Sequence, residues 1–294
     1  MLAAVTRSPG VMVVGQVPEP GPPGPRDVIV RPEAVGICGS DLHFYTGDTG
    51  ALSGARSFFP RIQGHEFSAV IEQTGPDCPG DVKAGDRVAV WPLRGCGRCY
   101  PCRAGRANAC VSLDLVGIHR DGGLQQLLSV PASQVFGVGG LGPEPAAFVE
   151  PMSIAVHALG RAGIAGGQQV AVLGAGPIGL ATALAATAAG ARVMATDPLP
   201  ARRDLALKVG AENAAWGGDG ELLDAVRAWT GGPSCATAAD FRSAVALVQA
   251  HRETVAALFS HRFPLTRARE AIECVADPAS GAVKVLITVG GPVL

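Results

Sequence analysis

Four cysteines lie within fifteen positions of one another, at Cys96, Cys99, Cys102 and Cys110. Thiolates at these spacings can converge on one tetrahedral ion, as they do in closed structural zinc sites. An iron–sulfur cluster is the competing interpretation, but its cysteine spacings differ and nothing else in the chain indicates electron transfer. We therefore predict a structural zinc site that holds a loop and takes no part in a reaction.

A second set of possible metal ligands is dispersed along the chain: Cys38, the pair His65 and Glu66, and Glu150. Taken singly, each could be an ordinary buried or surface residue. Taken together, one thiolate, one imidazole and one carboxylate leave a fourth position open for water or substrate, which is typical of a catalytic zinc site. The sequence thus predicts two zinc ions per chain, one structural and one catalytic.

A glycine-rich turn joins a predicted strand over 169–173 to a predicted helix over 177–189. Its residues include Gly174, Gly176, Pro177, Ile178 and Gly179. Such glycines allow the tight turn and the close approach of a pyrophosphate, which the helix N-terminus binds. Asp197 follows the next predicted strand, where a carboxylate accepts from an adenosine ribose hydroxyl and repels a 2′-phosphate. An ordinary strand-turn-helix is the alternative, but the acid in this place favours dinucleotide binding, with NAD preferred over NADP.

Composition and charge exclude several classes of protein. The 294 residues are 48% hydrophobic with a formal net charge of −1, which suits a sizeable core divided between two domains. The chain has no basic footprint for nucleic acid, no apolar run of membrane length and no signal-peptide layout at its start. We therefore expect a cytoplasmic protein that binds neither nucleic acid nor membrane.

The predicted elements change in type near residue 150. Before this point, short β-type runs alternate with proline and glycine turns, which indicates an irregular β domain. After it, the hydrophobic period lengthens to about 3.6 residues and strands alternate with helices. The predicted fold class is therefore β followed by α/β, with the glycine-rich turn in the α/β part.

Six motifs follow one another along the chain: Gly-Ile-Cys38-Gly-Ser-Asp-Leu-His43, Gly-His65-Glu66, the four-cysteine segment, Glu150-Pro-Met-Ser-Ile-Ala-Val-His157, the glycine-rich turn and His261-Arg-Phe-Pro-Leu. In this order they resemble the motifs of the zinc-dependent medium-chain dehydrogenases, closest to the polyol (sorbitol or idonate) branch, with threonine dehydrogenase nearby. The similarity runs over nearly the whole chain. The resemblance implies a GroES-like catalytic domain over 1–152, completed by 256–294, and a Rossmann-type NAD-binding domain over 153–255. It also implies a homo-dimer or tetramer.

The resemblance assigns roles to individual residues. The implied ligands of the catalytic zinc are Cys38, His65 and Glu66. Glu150 is either a fourth ligand or a neighbour of the ligands, Ser40 and His43 match a proton relay to solvent, and Arg202 matches an arginine that lies along the adenine. The implied reaction transfers a hydride between NAD and a polyol or other secondary alcohol or ketone. Four aromatic residues either border the substrate pocket or pack the β domain: Phe44, Tyr45, Phe58 and Phe59.

The chain departs from the family after about residue 233. A complete dinucleotide-binding sheet has two βαβαβ halves, whereas no run between Pro233 and Lys284 indicates a core strand. The NAD-binding domain is therefore predicted to be truncated by roughly fifty residues, which leaves the strand over 169–173 at a sheet edge. By the resemblance, the missing part would include the strand that pairs subunits, which puts the dimer or tetramer in doubt. The alternative function is a catalytically impaired homologue that keeps zinc and adenosine binding.

Overall fold

Antiparallel strands fill the first half of the chain and a parallel sheet follows, in the computed structural model of the protein. The structure describes residues 1–47, 59–216, 219–230, 259–264 and 284–288. Two compact units are formed by Met1–Leu222 and Leu223–Leu294. The change from antiparallel to parallel pairing falls inside the first unit, and the domain boundaries that the sequence suggested stay a prediction.

The antiparallel part contains ten strands and four helices among the described residues. The strands are β1 Leu2–Ser8, β2 Val11–Gln16, β3 Asp27–Gly36, β4 Arg61–Ile62, β5 Glu66–Thr74, β6 Arg87–Val90, β7 Leu93–Arg94, β8 Asp114–Leu115, β9 Leu128–Pro131 and β10 Val135–Gly137. The helices are α1 Gly39–Thr46, α2 Tyr100–Arg103, α3 Pro143–Ala147 and α4 Val149–Ala162. Short 3₁₀ turns cover Ala107–Ala109 and Ala132–Gln134.

A five-stranded sheet in the order β10-β6-β5-β3-β9 forms the core of this part. Inward-facing apolar residues on its strands, such as Val30, Phe67, Ile71 and Val90, are almost fully buried in one cluster. Burial of each such side chain contributes about 1.5–3 kcal/mol to folding. A smaller sheet in the order β2-β1-β4 lies at the start of the chain.

The parallel part alternates strands with helices, as the sequence predicted. Its elements are β11 Gln169–Leu173, α5 Pro177–Ala188, β12 Arg192–Thr196, α6 Pro200–Lys208, β13 Asn213–Ala215 and α7 Asp219–Thr230. The strand order is β11-β12-β13, so β11 pairs on one side only among the described residues. Leu173 at its end is 77% exposed. Alanines on α5 are buried, and these small side chains let the helix lie close to the sheet.

A second parallel pair joins β14 Phe259–Pro264 to β15 Lys284–Thr288. The sequence had indicated no core strand between Pro233 and Lys284, and the strand at Phe259–Pro264 was therefore missed. Its mixture of polar and aromatic residues ends in proline, and strand formation depends more on pairing than on local propensity. The predicted loss of the second half of the sheet falls mainly on residues 231–258 and 265–283, outside the described residues. None of the helices in the described ranges combines the length and hydrophobicity of a membrane span.

Candidate active site

Three predicted metal ligands, Cys38, His65 and Glu66, meet in the structure. Their ligand atoms, a sulfur, a ring nitrogen and a carboxylate oxygen, all lie within 4.8 Å of one another. Cys38 directly precedes α1 and Glu66 begins β5, and the two segments meet because Gly36 pairs with Glu66 in the β3–β5 ladder. The register of the sheet therefore assembles the ligand cluster.

The ring of His65 is oriented by neighbours on both sides. Its Nδ1 lies 3.6 Å from Asp41 Oδ1, and its Nε2 lies 3.5 Å from Ser40 Oγ. Nδ1 is buried and has no hydrogen-bond partner within the usual distance. A carboxylate behind one ring nitrogen is typical of a metal-bound histidine, whose other nitrogen binds the ion. The sulfur, nitrogen and oxygen donors at this site fit zinc.

Asp41 is a residue of this site that the sequence reasoning missed. It is 4% exposed, and its carboxylate accepts hydrogen bonds from the backbone N–H of Cys38 at 2.9 Å and of Gly64 at 3.3 Å. Asp41 thus connects both ligand-bearing segments. The signal was its place three residues after Cys38, where an acidic side chain reaches back to the start of a helix.

Mutual contacts shift the pKa values of the cluster in the metal-free protein. A hydrogen bond with His65 lowers the pKa of the Cys38 thiol, against an opposing effect of burial. Burial by itself would lower the pKa of His65, but the partners Asp41 and Cys38 outweigh it and raise the pKa to about 10. The site therefore holds a proton that a metal ion must displace.

Zinc binding at Cys38, His65 and Glu66 is expected to weaken as the pH falls. Because the pKa of His65 is about 10 in the metal-free protein, zinc binding releases a proton throughout the neutral range, and lower pH opposes that release. For one released proton the affinity changes by about tenfold per pH unit below this pKa. Competition with a chelator at several pH values measures the slope. An affinity independent of pH would contradict the assignment of His65 as a ligand.

Glu150 lies beside the cluster rather than within it. It occupies the first turn of α4 and is half-buried. Burial raises its pKa, and the charges of Glu66 and Asp41 add to this effect while His65 opposes it. Glu150 also lines a cavity of about 420 Å³ whose other walls are mostly apolar. None of the three ligands lines this cavity, so Glu150 is the residue that connects it with the charges of the cluster.

The two residues of the predicted proton relay both lie on α1. Ser40 contacts His65, while His43 is exposed on the same helix. Residues three apart on a helix are neighbours on its surface, so Ser40 and His43 lead from the ligand cluster towards solvent. The relay that the resemblance implied stays a prediction.

Of the four aromatic residues that either border the pocket or pack the β domain, Phe44 packs inside the domain and the half-buried Phe59 lies against it. Phe44 is fully buried, and its ring lies 4.6 Å from that of Phe59 in a cluster with Ile118. The hydroxyl of Tyr45 donates to the carbonyl of Gly10 at 2.8 Å. Phe58 lies outside the described residues.

Gly36 lies against the ligand Glu66, and its replacement by alanine is expected to displace that ligand. A Cβ at position 36 would lie 2.5 Å from Glu66 Oε2. Because the end of the carboxylate can swing away, the fold should survive while zinc affinity at this site falls by about 10–100-fold. Gly39→Ala is the matched control, since a Cβ there meets nothing within 4 Å. Chelator competition compares the two variants, and equal affinities would contradict a ligand role for Glu66.

The second predicted metal site also forms. Its four sulfur atoms lie within 4.8 Å of one another: Cys96, Cys99, Cys102 and Cys110. The sulfur of Cys110 accepts backbone N–H groups from Cys96 at 3.2 Å and Ser112 at 3.3 Å. Backbone N–H groups also lower the pKa of Cys96 to about 6, whereas burial and the neighbouring thiols raise that of Cys102 to about 12. The cysteine cluster fits a structural zinc ion, which favours the thiolate form of all its ligands.

The glycine-rich turn adopts the geometry that dinucleotide binding requires. Gly174 has a φ of +98°, which favours glycine, and a Cβ at Gly179 would overlap the carbonyl oxygen of Gly174. Gly176 directly precedes α5, so Pro177 and Ile178 form its first turn. The N-terminus of α5 can therefore receive a phosphate.

Asp197 lies at the end of β12, beside this turn, as predicted. Its carboxylate accepts the backbone N–H of Ala175 at 3.0 Å and that of Leu199 at 2.9 Å. The pKa of Asp197 is lowered most strongly by the N–H of Leu199, and also by the N–H of Ala175 and by Arg202. Arg202 Nη1 lies 3.6 Å from the carboxylate. The acid thus holds the glycine turn in place, a role that the sequence did not indicate.

The chain is similar to several known proteins. Residues 24–139 match the alcohol dehydrogenase GroES-like domain. L-galactonate-5-dehydrogenase of Escherichia coli (strain K12) is 42% identical over 182 residues, which are 62% of this chain and 52% of that protein. Galactitol-1-phosphate dehydrogenase from Escherichia coli aligns with a TM-score of 0.67 and 32% identity, over 73% of this chain and 60% of that chain.

Some solved structures align over almost their whole length. One of them is described as a zinc-binding dehydrogenase from Sinorhizobium meliloti 1021 bound to NADP, and it has a TM-score of 0.69 and 30% identity over 98% of this chain and 99% of that chain. By contrast, the chain spans about half the length of the curated galactonate dehydrogenase that it matches. The substrates and coenzymes in these names belong to those proteins.

Proposed function

The chain belongs to the zinc-dependent medium-chain dehydrogenase family, and from this premise we propose that it transfers a hydride between NAD and a polyol or related secondary alcohol. The observation that carries the proposal is the convergence of Cys38, His65 and Glu66 within 4.8 Å. The names of its relatives, which include a galactonate and a galactitol-1-phosphate dehydrogenase, support a substrate with several hydroxyl groups.

The proposed roles of the site residues are of two kinds, metal binding and proton transfer. Cys38, His65 and Glu66 would hold a catalytic zinc, which supplies Lewis acidity towards the alcohol oxygen. Ser40, next to His65, would accept the alcohol proton as its own hydroxyl proton leaves towards the exposed His43 on the same helix, which would pass it to solvent. Glu150 interacts electrostatically with the cluster from beside it, and burial raises its pKa.

Coenzyme preference is proposed to depend on Asp197. Its replacement by asparagine keeps an acceptor for one of the two backbone N–H groups but removes the negative charge that repels a 2′-phosphate. We expect the ratio of kcat/KM for NAD to that for NADP to fall by at least about tenfold, since apposed like charges cost several kcal/mol. Asp204→Asn, on the same helix as Arg202, is a control for loss of a nearby charge. An unchanged ratio in Asp197→Asn would contradict this role.

The direct test of function follows NADH formation by the full chain with two zinc ions, over a panel of sugar acids, polyols and simple secondary alcohols. Turnover that stops on removal of zinc supports the proposal. Within the part of the chain that the structure describes, β11 pairs on one side only and Leu173 is exposed, which favours the alternative, an impaired homologue. Two bound zinc ions with no hydride transfer to any alcohol would establish that alternative.

A cytoplasmic location and a dimer or tetramer remain predictions.

A further inference from the structure

A buried row of polar side chains connects the proposed metal site to the first strand of the chain. From its geometry we infer that Thr6 and Gln63 are positioning residues for the metal ligands, acting through Asp41. The inference rests on the proposed zinc site at Cys38 and His65. It adds two residues that lie behind Asp41 and belong to none of the motifs of the sequence.

The direction of each hydrogen bond in this row follows from chemistry. Gln63 Nε2 lies 2.8 Å from the backbone oxygen of Asp41 and 3.4 Å from its Oδ1. Both oxygens only accept hydrogen bonds, so the amide nitrogen of Gln63 must face Asp41. Its amide oxygen therefore faces Thr6, whose hydroxyl donates to it at 2.6 Å. Thr6 thus fixes the orientation of the Gln63 amide group.

Burial makes these bonds costly to lose. Thr6 is 0% exposed and Gln63 is 1% exposed, so neither can replace its partner with bulk water. Removal of the Thr6 hydroxyl would leave the amide oxygen of Gln63 unpaired, and the amide could then rotate. Rotation would turn its oxygen towards Asp41, where two acceptors repel each other.

Asp41 transmits such a change to the ligands. Its carboxylate binds the backbone N–H of Cys38 and Gly64 and faces Nδ1 of His65. A shift of this carboxylate therefore changes the segments on which both Cys38 and His65 lie. Thr6 also pairs with Arg61 in the β1–β4 ladder, and Arg61 lies two residues before Gln63. The first strand therefore also supports the ligand segment through its backbone.

An ordinary buried network would stabilise the fold without affecting the metal, and the chain offers a matched comparison. Gln134 is also buried, with 3% exposure. Its amide donates to the carbonyls of Trp91 and Leu93 and accepts from Arg120, so it makes similar bonds with no contact to Asp41. Loss of either glutamine should reduce stability, but only loss of Gln63 should affect the zinc held by Cys38 and His65.

The experiment measures release of zinc from the full chain to 4-(2-pyridylazo)resorcinol, together with the absorption of the cobalt-substituted protein. Thr6→Val and Gln63→Met are expected to weaken zinc binding at the Cys38 site by about tenfold and to alter the cobalt–thiolate absorption. Thr6→Ser, which restores the hydroxyl, should behave as wild type. Gln134→Met should lower the melting temperature but leave both metal readouts unchanged.

The outcomes separate this inference from the function on which it rests. If the wild-type chain binds zinc only in the four-cysteine site, the proposed function fails before any variant is compared. If the wild type binds two zinc ions and Thr6→Val keeps wild-type release and cobalt absorption, the positioning role is overturned while the function stands. If Gln63→Met does not fold, the comparison of Thr6→Val with Thr6→Ser decides.

Discussion

Replacement of Cys38 by serine is expected to lower kcat/KM by at least about 10³-fold, because a bound zinc ion contributes several kcal/mol of stabilisation to the reacting oxygen. A serine hydroxyl is a far poorer zinc ligand than a thiolate, and the remaining donors, His65 and Glu66, would hold the ion weakly. Zinc content should therefore fall from two ions to one per chain. Activity assays and elemental analysis of the same preparation measure both effects.

Cys78→Ser is the control for this substitution. Cys78 is half-buried and belongs to neither metal cluster, and its sulfur contacts the carbonyl of Asp27 at 3.3 Å, a bond that serine can keep. It should retain two zinc ions and wild-type kcat/KM. Full activity in Cys38→Ser would show that the reaction does not depend on this cluster.

Replacement of Cys110 by serine is expected to affect stability rather than chemistry. Cys110 is the buried member of the four-cysteine site and accepts two backbone N–H groups. Because metal binding to such a site is part of the folding free energy, loss of this ion should lower Tm by on the order of 5–10 °C. Thermal unfolding measured before and after addition of chelator checks this result.

The zinc at Cys38 should persist in Cys110→Ser, and kcat/KM should stay near that of the wild type well below Tm. This pattern is the reverse of the one expected for Cys38→Ser, so the two variants separate the roles of the two sites. Loss of activity at low temperature with an unchanged Tm would argue against a structural role for the four-cysteine site.

Local motifs were predicted most accurately from the sequence. The strand Gln169–Leu173 has the predicted bounds, and the glycine turn follows it as predicted, because glycine conformation and hydrophobic runs act over a few residues. The four cysteines were equally clear, since a single loop holds all of them. In such segments the information needed for the structure is close together in the chain.

Contacts between distant segments were harder to predict. Cys38 and His65 were grouped from their donor types, and the family resemblance was needed to assign them as ligands, because the register of β3 against β5 brings them together and no spacing encodes it. Asp41 and Gln63 were missed because their roles depend on which side chains are buried against each other. The strand Phe259–Pro264 was missed because its partner lies twenty or more residues away.

The central claim is that Cys38, His65 and Glu66 hold a metal ion. It is tested most directly by an anomalous difference map collected at the zinc edge from crystals of the full chain, purified without chelator. We predict two peaks, one among the four cysteines and one bounded by Cys38 Sγ, the His65 ring and the Glu66 carboxylate. A single peak, confined to the four cysteines, would contradict the account.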